Sequence, residues 1–171
     1  MASNIFLYRI PAGVPGFVNR EQEHTGEPNQ LDVTNPPLAY GDPVKMGSNG
    51  KIQALAAGDT AAAIYGFLER PYPTQQQNYA SQGYGNAAPQ AGARCTVMKR
   101  GYMTVKLQGA TAAAKGGAVF VRIAGTLPAG GRYSNVEAAV DATAANTPTV
   151  PNAYFMGAAD TDGNVEIAFN L

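Results

Sequence analysis

Pro43-Val44-Lys45-Met46-Gly47-Ser48-Asn49-Gly50-Lys51-Ile52-Gln53-Ala54-Leu55 is the stretch whose reading decides the fold. Two short runs, 43–46 and 51–55, flank a Gly-Ser-Asn-Gly connection. Asn-Gly is favoured in hairpin turns because both residues tolerate positive φ, so the segment predicts a β-hairpin. Downstream, Ala62-Ala63-Ile64-Tyr65-Gly66-Phe67-Leu68-Glu69 reads as a buried strand, ended by Arg70-Pro71-Tyr72-Pro73.

Farther on, Arg94–Met98 and Tyr102–Leu107 suggest a second hairpin turning at Lys99-Arg100-Gly101. Gly117-Ala118-Val119-Phe120-Val121-Arg122-Ile123 is the strongest single strand, because β-branched and aromatic residues suit a pleated surface. Side chains alternate along a strand, so Val119, Val121 and Ile123 are expected to face the core, with Phe120 and Arg122 opposite. Residues 136–146 read as a short Ala-rich helix or an extended linker. Ala153–Gly157 and Val165–Phe169 flank a turn at Asp162-Gly163-Asn164. Short strands at turn-rich spacing predict an all-β fold, a small sandwich or barrel.

Upstream of the hairpin the pattern dissolves. Residues 4–18 read as an extended arm in which Pro11, Gly13, Pro15 and Gly16 exclude a helix. Residues 19–37 are polar and punctuated by proline. The expected organisation is an N-terminal arm and polar segment over 1–37, then a β-rich domain over 38–171. That domain carries a long loop at 74–93, rich in Gln, Asn, Tyr and Gly. A loop of this length is usually functional or disordered.

Composition agrees with an extended, loop-rich domain. There are 20 glycines and 12 prolines, no Trp, and much of the apolar fraction is Ala. The single cysteine, Cys95, has no partner within the chain for a disulfide and reads as a small apolar strand residue. No apolar run approaches the roughly 18 residues of a membrane span, and the N-terminus lacks a basic region ahead of its apolar stretch. Formal net charge is zero but unevenly spread. Residues 70–136 hold eight basic and no acidic residues, 1–69 hold four basic and seven acidic, and 137–171 hold five acidic and no basic. Two readings stand: the basic middle meets an acidic partner, or strands from the acidic flanks neutralise it within the fold.

Catalytic chemistry finds little material. His24 is the only histidine and reads as a surface residue; one His and one Cys do not make a usual zinc site. The four serines, Ser3, Ser48, Ser81 and Ser134, lack a Gly-x-Ser-x-Gly frame. Gly125, Gly130 and Gly131 are not followed by Gly-Lys-Ser/Thr, so no phosphate loop is read there. Asp160 and Asp162 lack the spacing of a calcium loop and read as a turn. Paired carboxylates of a glycosidase kind are not excluded by sequence, which does not give their separation. Tyrosines beside basic residues suit nucleic-acid stacking, but zero net charge and no recognisable binding signature argue against it. No enzyme, metal, cofactor, nucleic acid or membrane role is expected.

Several short pieces, in order, carry a resemblance. They are Pro11-Ala12-Gly13-Val14-Pro15-Gly16 with Arg20; Tyr40-Gly41-Asp42-Pro43-Val44; Gly50-Lys51-Ile52; Gly58-Asp59-Thr60-Ala61-Ala62; and Ile64-Tyr65-Gly66-Phe67 with Arg70-Pro71-Tyr72-Pro73-Thr74. Gly116–Arg122 and Gly157-Ala158-Ala159-Asp160 follow. The chain resembles the structural cement, or capsid decoration, proteins of tailed phages. That resemblance implies a jelly-roll-like or barrel fold, a homo-oligomer (dimer or trimer), no catalysis, and a place on the outside of the phage head against the major capsid protein. Assembly in the host cytoplasm is implied with it. Contact with the shell or a sister subunit is expected at Ile5, Phe6, Leu7 and Tyr8 of the arm, at Tyr72, Tyr79 and Tyr84 of the loop, and at Lys99 and Arg100. The alternative is a glycan- or receptor-binding virion domain that presents the tyrosine-rich loop.

Overall fold

The computed structural model describes residues 13–71 and 88–171. Among them are nine strands: β1 Thr25–Gln30, β2 Pro43–Met46, β3 Ile52–Ala54, β4 Gly66–Leu68, β5 Arg94–Gln108, β6 Ala118–Arg122, β7 Asn135–Glu137, β8 Thr149–Phe155 and β9 Asn164–Phe169. The helical pieces among the described residues are three short 3-10 turns, at Glu21–Glu23, Ala61–Ala63 and Ala144–Asn146. The fold is all-β, as the turn-rich spacing predicts.

β5 organises the molecule. Its second half joins β7, β6, β8 and β9 in a closed barrel of five strands, with β9 pairing back onto Gly101–Lys106. Its first half lies in an open antiparallel sheet of order β3-β2-β4-β5-β1. The hairpin expected at Lys99-Arg100-Gly101 is therefore not formed. β1 pairs with Arg94–Arg100 and β9 with Gly101–Lys106, so the strand passes from one sheet to the other without reversing. Gly101 allows the bend by adopting φ +135°, a conformation that strains residues with a side chain.

The β2–β3 hairpin forms as expected, but its turn differs in detail. Gly50 N–H donates to Gly47 O at 2.9 Å, and of the Asn-Gly pair only Gly50 takes positive φ, at 71°. The strand expected over 62–69 is reduced to Gly66–Leu68, because Ala61–Ala63 coil into a 3-10 turn. Residues 136–146 are neither a helix nor a linker throughout: they start in β7 and end in the turn at Ala144–Asn146.

Part of the segment read as arm and polar stretch is built into these sheets. β1 pairs with β5 over Thr25–Gln30. Gly16 N–H donates to Thr104 O at 2.8 Å, Thr104 N–H to Phe17 O at 2.9 Å, and Asn19 N–H to Tyr102 O at 3.0 Å. The open sheet also protects its edges. Pro28 removes a donor from β1, and residues 31–35 cover β3 through Asp32 N–H to Ile52 O and Ala54 N–H to Asn35 O.

Two apolar clusters form the core. The larger fills the barrel with Val105, Val119, Val121, Val136, Phe155, Val165 and Ile167, joined by Phe67 of the open sheet. The smaller lies on the open sheet around Leu31, Val44, Ile52, Leu68 and Val97. Phe67 and Phe169 meet edge to face, centroids 5.2 Å apart, and tie the open sheet to the barrel. Val119, Val121 and Ile123 face this core as the alternation predicts. Phe120 is half-buried, while Arg122 is buried against acidic partners.

Candidate functional site

Among the described residues, His24, Ser134 and Asp160 hold structural bonds. His24 is not a free surface histidine: its Nε2 meets Glu69 Oε1, and both side chains are largely covered. Ser134 is buried and its Oγ donates to Leu55 O at 3.1 Å. Asp160 accepts from the N–H groups of Asp162 at 2.9 Å and Asn164 at 2.8 Å, closing a plain turn. Burial pushes the Cys95 thiol up to about 11, which disfavours a reactive thiolate. Among the described residues no group of three or more His, Cys, Asp or Glu is placed to hold a metal, and no helix is long and apolar enough to cross a membrane.

Part of the uneven charge is answered within the fold. Arg122 of β6 grips Glu137 of β7 with Nε and Nη2, the latter at 2.8 Å, and reaches Asp141 Oδ2 with Nη1 at 2.8 Å. These bonds hold the guanidinium charged against the cost of burial. Gln108 links Glu137 at 3.2 Å to the backbone of Arg132. Arg132 then takes the buried Asp42, beside β2, with two bonds of 2.5 Å. One polar chain thus runs from the barrel to the open sheet. The middle of the sequence supplies its cations, and both flanks supply its anions.

Lys99 and Arg100 divide between structure and surface. Lys99 Nζ stands 3.1 Å from the Tyr65 ring centroid and donates to the Tyr65 carbonyl. The Tyr65 hydroxyl in turn donates to Glu27 at 2.7 Å, and that bond lowers the Glu27 pKa. Arg100 is exposed and lies 3.9 Å from an equally exposed Glu23. Of the pair, Arg100 is the one presented outward.

A further arrangement appears where the N-terminal segment enters the fold. Arg70 donates from Nε to Pro15 O at 2.9 Å and from its backbone N–H to Gly16 O at 2.8 Å. Its guanidinium lies over Tyr40, 4.9 Å from the ring centroid. Gly16 packs so tightly here that an added Cβ would stand 2.5 Å from Tyr40 Cβ. Beside this junction, Val14, Phe17 and Leu38 expose apolar side chains, and Val33 is exposed where it meets Gly92. Tyr40 and Pro71 also line a cleft of about 250 Å³, with Pro28, Leu31, Ala93 and Cys95. The expected contact residues Ile5, Phe6, Leu7, Tyr8, Tyr72, Tyr79 and Tyr84 lie outside the described residues. Sequence reading missed Tyr40 and Arg70 as anchors. Arg70-Pro71 was read as a strand stop, and both Arg70 and Tyr40 as parts of the pieces that carry the resemblance, with no contact between them expected.

Comparison with known proteins gives the arrangement its context. No curated protein matches the sequence. Among solved structures, a chain of "The capsid of Myoviridae Phage XM1" shares the fold at TM-score 0.67 and 21% identity, over 99% of this chain and 97% of that one. The family model described as XM1 gp53 minor capsid protein matches residues 3–169. With nearly the whole sequence inside that match, the chain belongs to the XM1 gp53 minor capsid protein family.

Proposed function

We propose that this virion structural protein binds the outer surface of the phage shell and stabilises contacts between major capsid subunits. The observation that carries the reading is the match to a minor capsid family over residues 3–169, a span that includes the apolar Ile5–Tyr8 run. The exposed apolar side chains of Val14, Phe17, Leu38 and Val33 support it. The chemistry is adhesion. A standard protein interface buries roughly 1,600 Å² in total, and a protein seated across a joint adds such area to both sides. Repetition over a shell multiplies modest affinities, and binding to intact but not dissociated subunits raises the resistance of the shell by mass action. The protein acts as a dimer or trimer on the head exterior, after assembly in the host cytoplasm.

The test compares the full chain with one lacking residues 2–12, added to heads stripped of this protein. The cut ends there because Gly16 to Asn19 pair with β5. The full chain should bind and raise the temperature at which heads rupture, and the shortened one should bind more weakly. Equal binding by both would remove the arm from the contact. Failure of the full chain to bind intact heads would contradict the proposal.

A further inference from the structure

The turn between β2 and β3 carries the only Asn-Gly step of the sequence, Asn49-Gly50. Every other asparagine is followed by a residue with a side chain. The difference is chemical. An asparagine side-chain amide is open to attack by the backbone nitrogen of the next residue, and glycine, with no Cβ, shields that nitrogen least. Both residues are exposed here, and, chain neighbours aside, no atom lies within 4 Å of a Cβ placed on Gly50. Lys51 N–H donates to Asn49 Oδ1 at 3.0 Å, which draws electrons from the carbon to be attacked. Gly50 N–H is meanwhile bound to Gly47 O at 2.9 Å, so the turn must open briefly before its nitrogen can reach Asn49.

We propose that Asn49 is a site of spontaneous deamidation, and that its conversion unfastens the segment covering the edge of β3. The Gly50 nitrogen forms a bond to Asn49 Cγ. The bond from Cγ to the amide nitrogen breaks, and that nitrogen leaves as ammonia, taking the Gly50 proton. Water then opens the succinimide at either carbonyl, giving aspartate or isoaspartate. The amide that is lost holds a hub together. Asn49 Nδ2 donates to Asp32 Oδ2 at 2.7 Å, beside Gln53 Nε2 at 3.2 Å. Asp32 Oδ1 accepts from the N–H groups of Thr34 and Asn35, each at 2.7 Å. Asp32 thereby fixes the stretch that lies along β3 through its own N–H to Ile52 O. Either product replaces a donor with a second carboxylate facing the buried Asp32, and like charges at that range repel. Isoaspartate also lengthens the backbone of the turn. Residues 32–35 then loosen and leave the β3 edge unpaired. This chemistry belongs to the chain alone and is independent of shell binding.

The full-length protein, held in mildly alkaline buffer, is sampled over time, digested with trypsin and read by mass spectrometry. The tryptic peptide Met46–Lys51 has Asn49 as its only side-chain amide. It should gain the mass of an amide-to-acid change before any other asparagine peptide, and several-fold more slowly than the same synthetic peptide free in solution. Gly50→Ala should slow the change several-fold. Hydrogen exchange at the Thr34 and Asn35 amides should speed up in step with the acid product, and Asn49→Asp should melt several degrees below the wild type near neutral pH. Deamidation that appears first at another asparagine, or at an unchanged rate in Gly50→Ala, would overturn the site. Unchanged exchange at Thr34 and Asn35 in the converted protein, or an Asn49→Asp variant that melts with the wild type, would overturn the unfastening.

Discussion

Arg132 reaches from the barrel to the buried Asp42 and holds both carboxylate oxygens, at 2.5 Å each. Ninety positions separate the two residues in sequence, and Asp42 opens the first hairpin of the open sheet. The pair is therefore a clasp between the two halves of the fold. Asp42 is 2% exposed and Arg132 28%. Arg132→Ala leaves a buried carboxylate without its cation, and should cost about 3 kcal/mol, the low end for a broken buried pair because Arg132 is partly solvated. Urea denaturation checks the value. A loss within a few tenths of a kcal/mol would mean that the clasp is not a structural link.

Two aspartates should shape acid stability in opposite directions. Burial raises Asp42 from 3.8 to about 6, against the bonds and charge of Arg132. Between pH 3.8 and about 6 the folded state keeps a proton that the unfolded state has lost, so the Asp42 contribution rises as pH falls through that window. Asp32 behaves conversely. The Asn35 N–H, with Asn49 and Gln53, lowers it from 3.8 to about 2, so its contribution is present above 3.8 and is lost as pH falls toward 2. Asp42→Asn should remove the gain between pH 6 and 4, while Asp32→Asn should weaken the protein at neutral pH and remove part of its acid loss. Melting temperatures over pH 2–7 check both signs.

Gly101 is the point at which β5 changes sheets. A side chain there would meet φ +135° and stand 3.3 Å from Glu23 O and His24 Cα. Gly101→Ala should cost roughly 1 kcal/mol or more, beyond the gain usually seen where alanine fits a glycine site. Gly50, at the β2–β3 turn, has open space around its Cα, so Gly50→Ala isolates the φ term. A smaller loss at position 101 than at 50 would contradict the role of the bend.

What the sequence made legible follows from how local each signal was. The 43–55 hairpin and the Val119–Ile123 strand were readable because a turn dipeptide and an alternating run each specify a local answer. β5 was misread because Lys99-Arg100-Gly101 has the composition of a turn. Whether a glycine reverses a strand or bends it depends on partners more than sixty residues away, here Thr25 to Gln30 and Asn164 to Phe169. β1 was hidden because Thr25-Gly26-Glu27-Pro28-Asn29-Gln30 is a polar edge strand with exposed side chains and no buried face to leave a pattern. At the candidate site, Lys99 and Arg100 looked equivalent, and only the Tyr65 ring separates them. The cleft was invisible because Pro28, Tyr40, Pro71 and Cys95 come from four segments.

That separation can be measured. Arg100→Glu should leave the melting temperature nearly unchanged, since an exposed pair at 3.9 Å contributes at most about 1 kcal/mol. Lys99→Glu should destabilise the fold, because it removes the cation from the Tyr65 ring and places a carboxylate near Glu27. If the surface around Arg100 meets an acidic shell, Arg100→Glu should slow association with heads, and added salt should slow the wild type. Salt-independent binding that is unaffected by Arg100→Glu would take this residue out of the contact.

Under the proposed function the protein covers the outside of the shell. Quantitative mass spectrometry of purified heads, with the ratio of this chain to the major capsid subunit measured before and after mild release from the exterior, tests it most directly. A protein in that place should show a copy number of the same order as the shell subunit, come off intact DNA-filled heads, and leave heads that rupture at lower temperature once stripped. A handful of copies per particle, or a full complement that leaves only when the shell is broken, would contradict it.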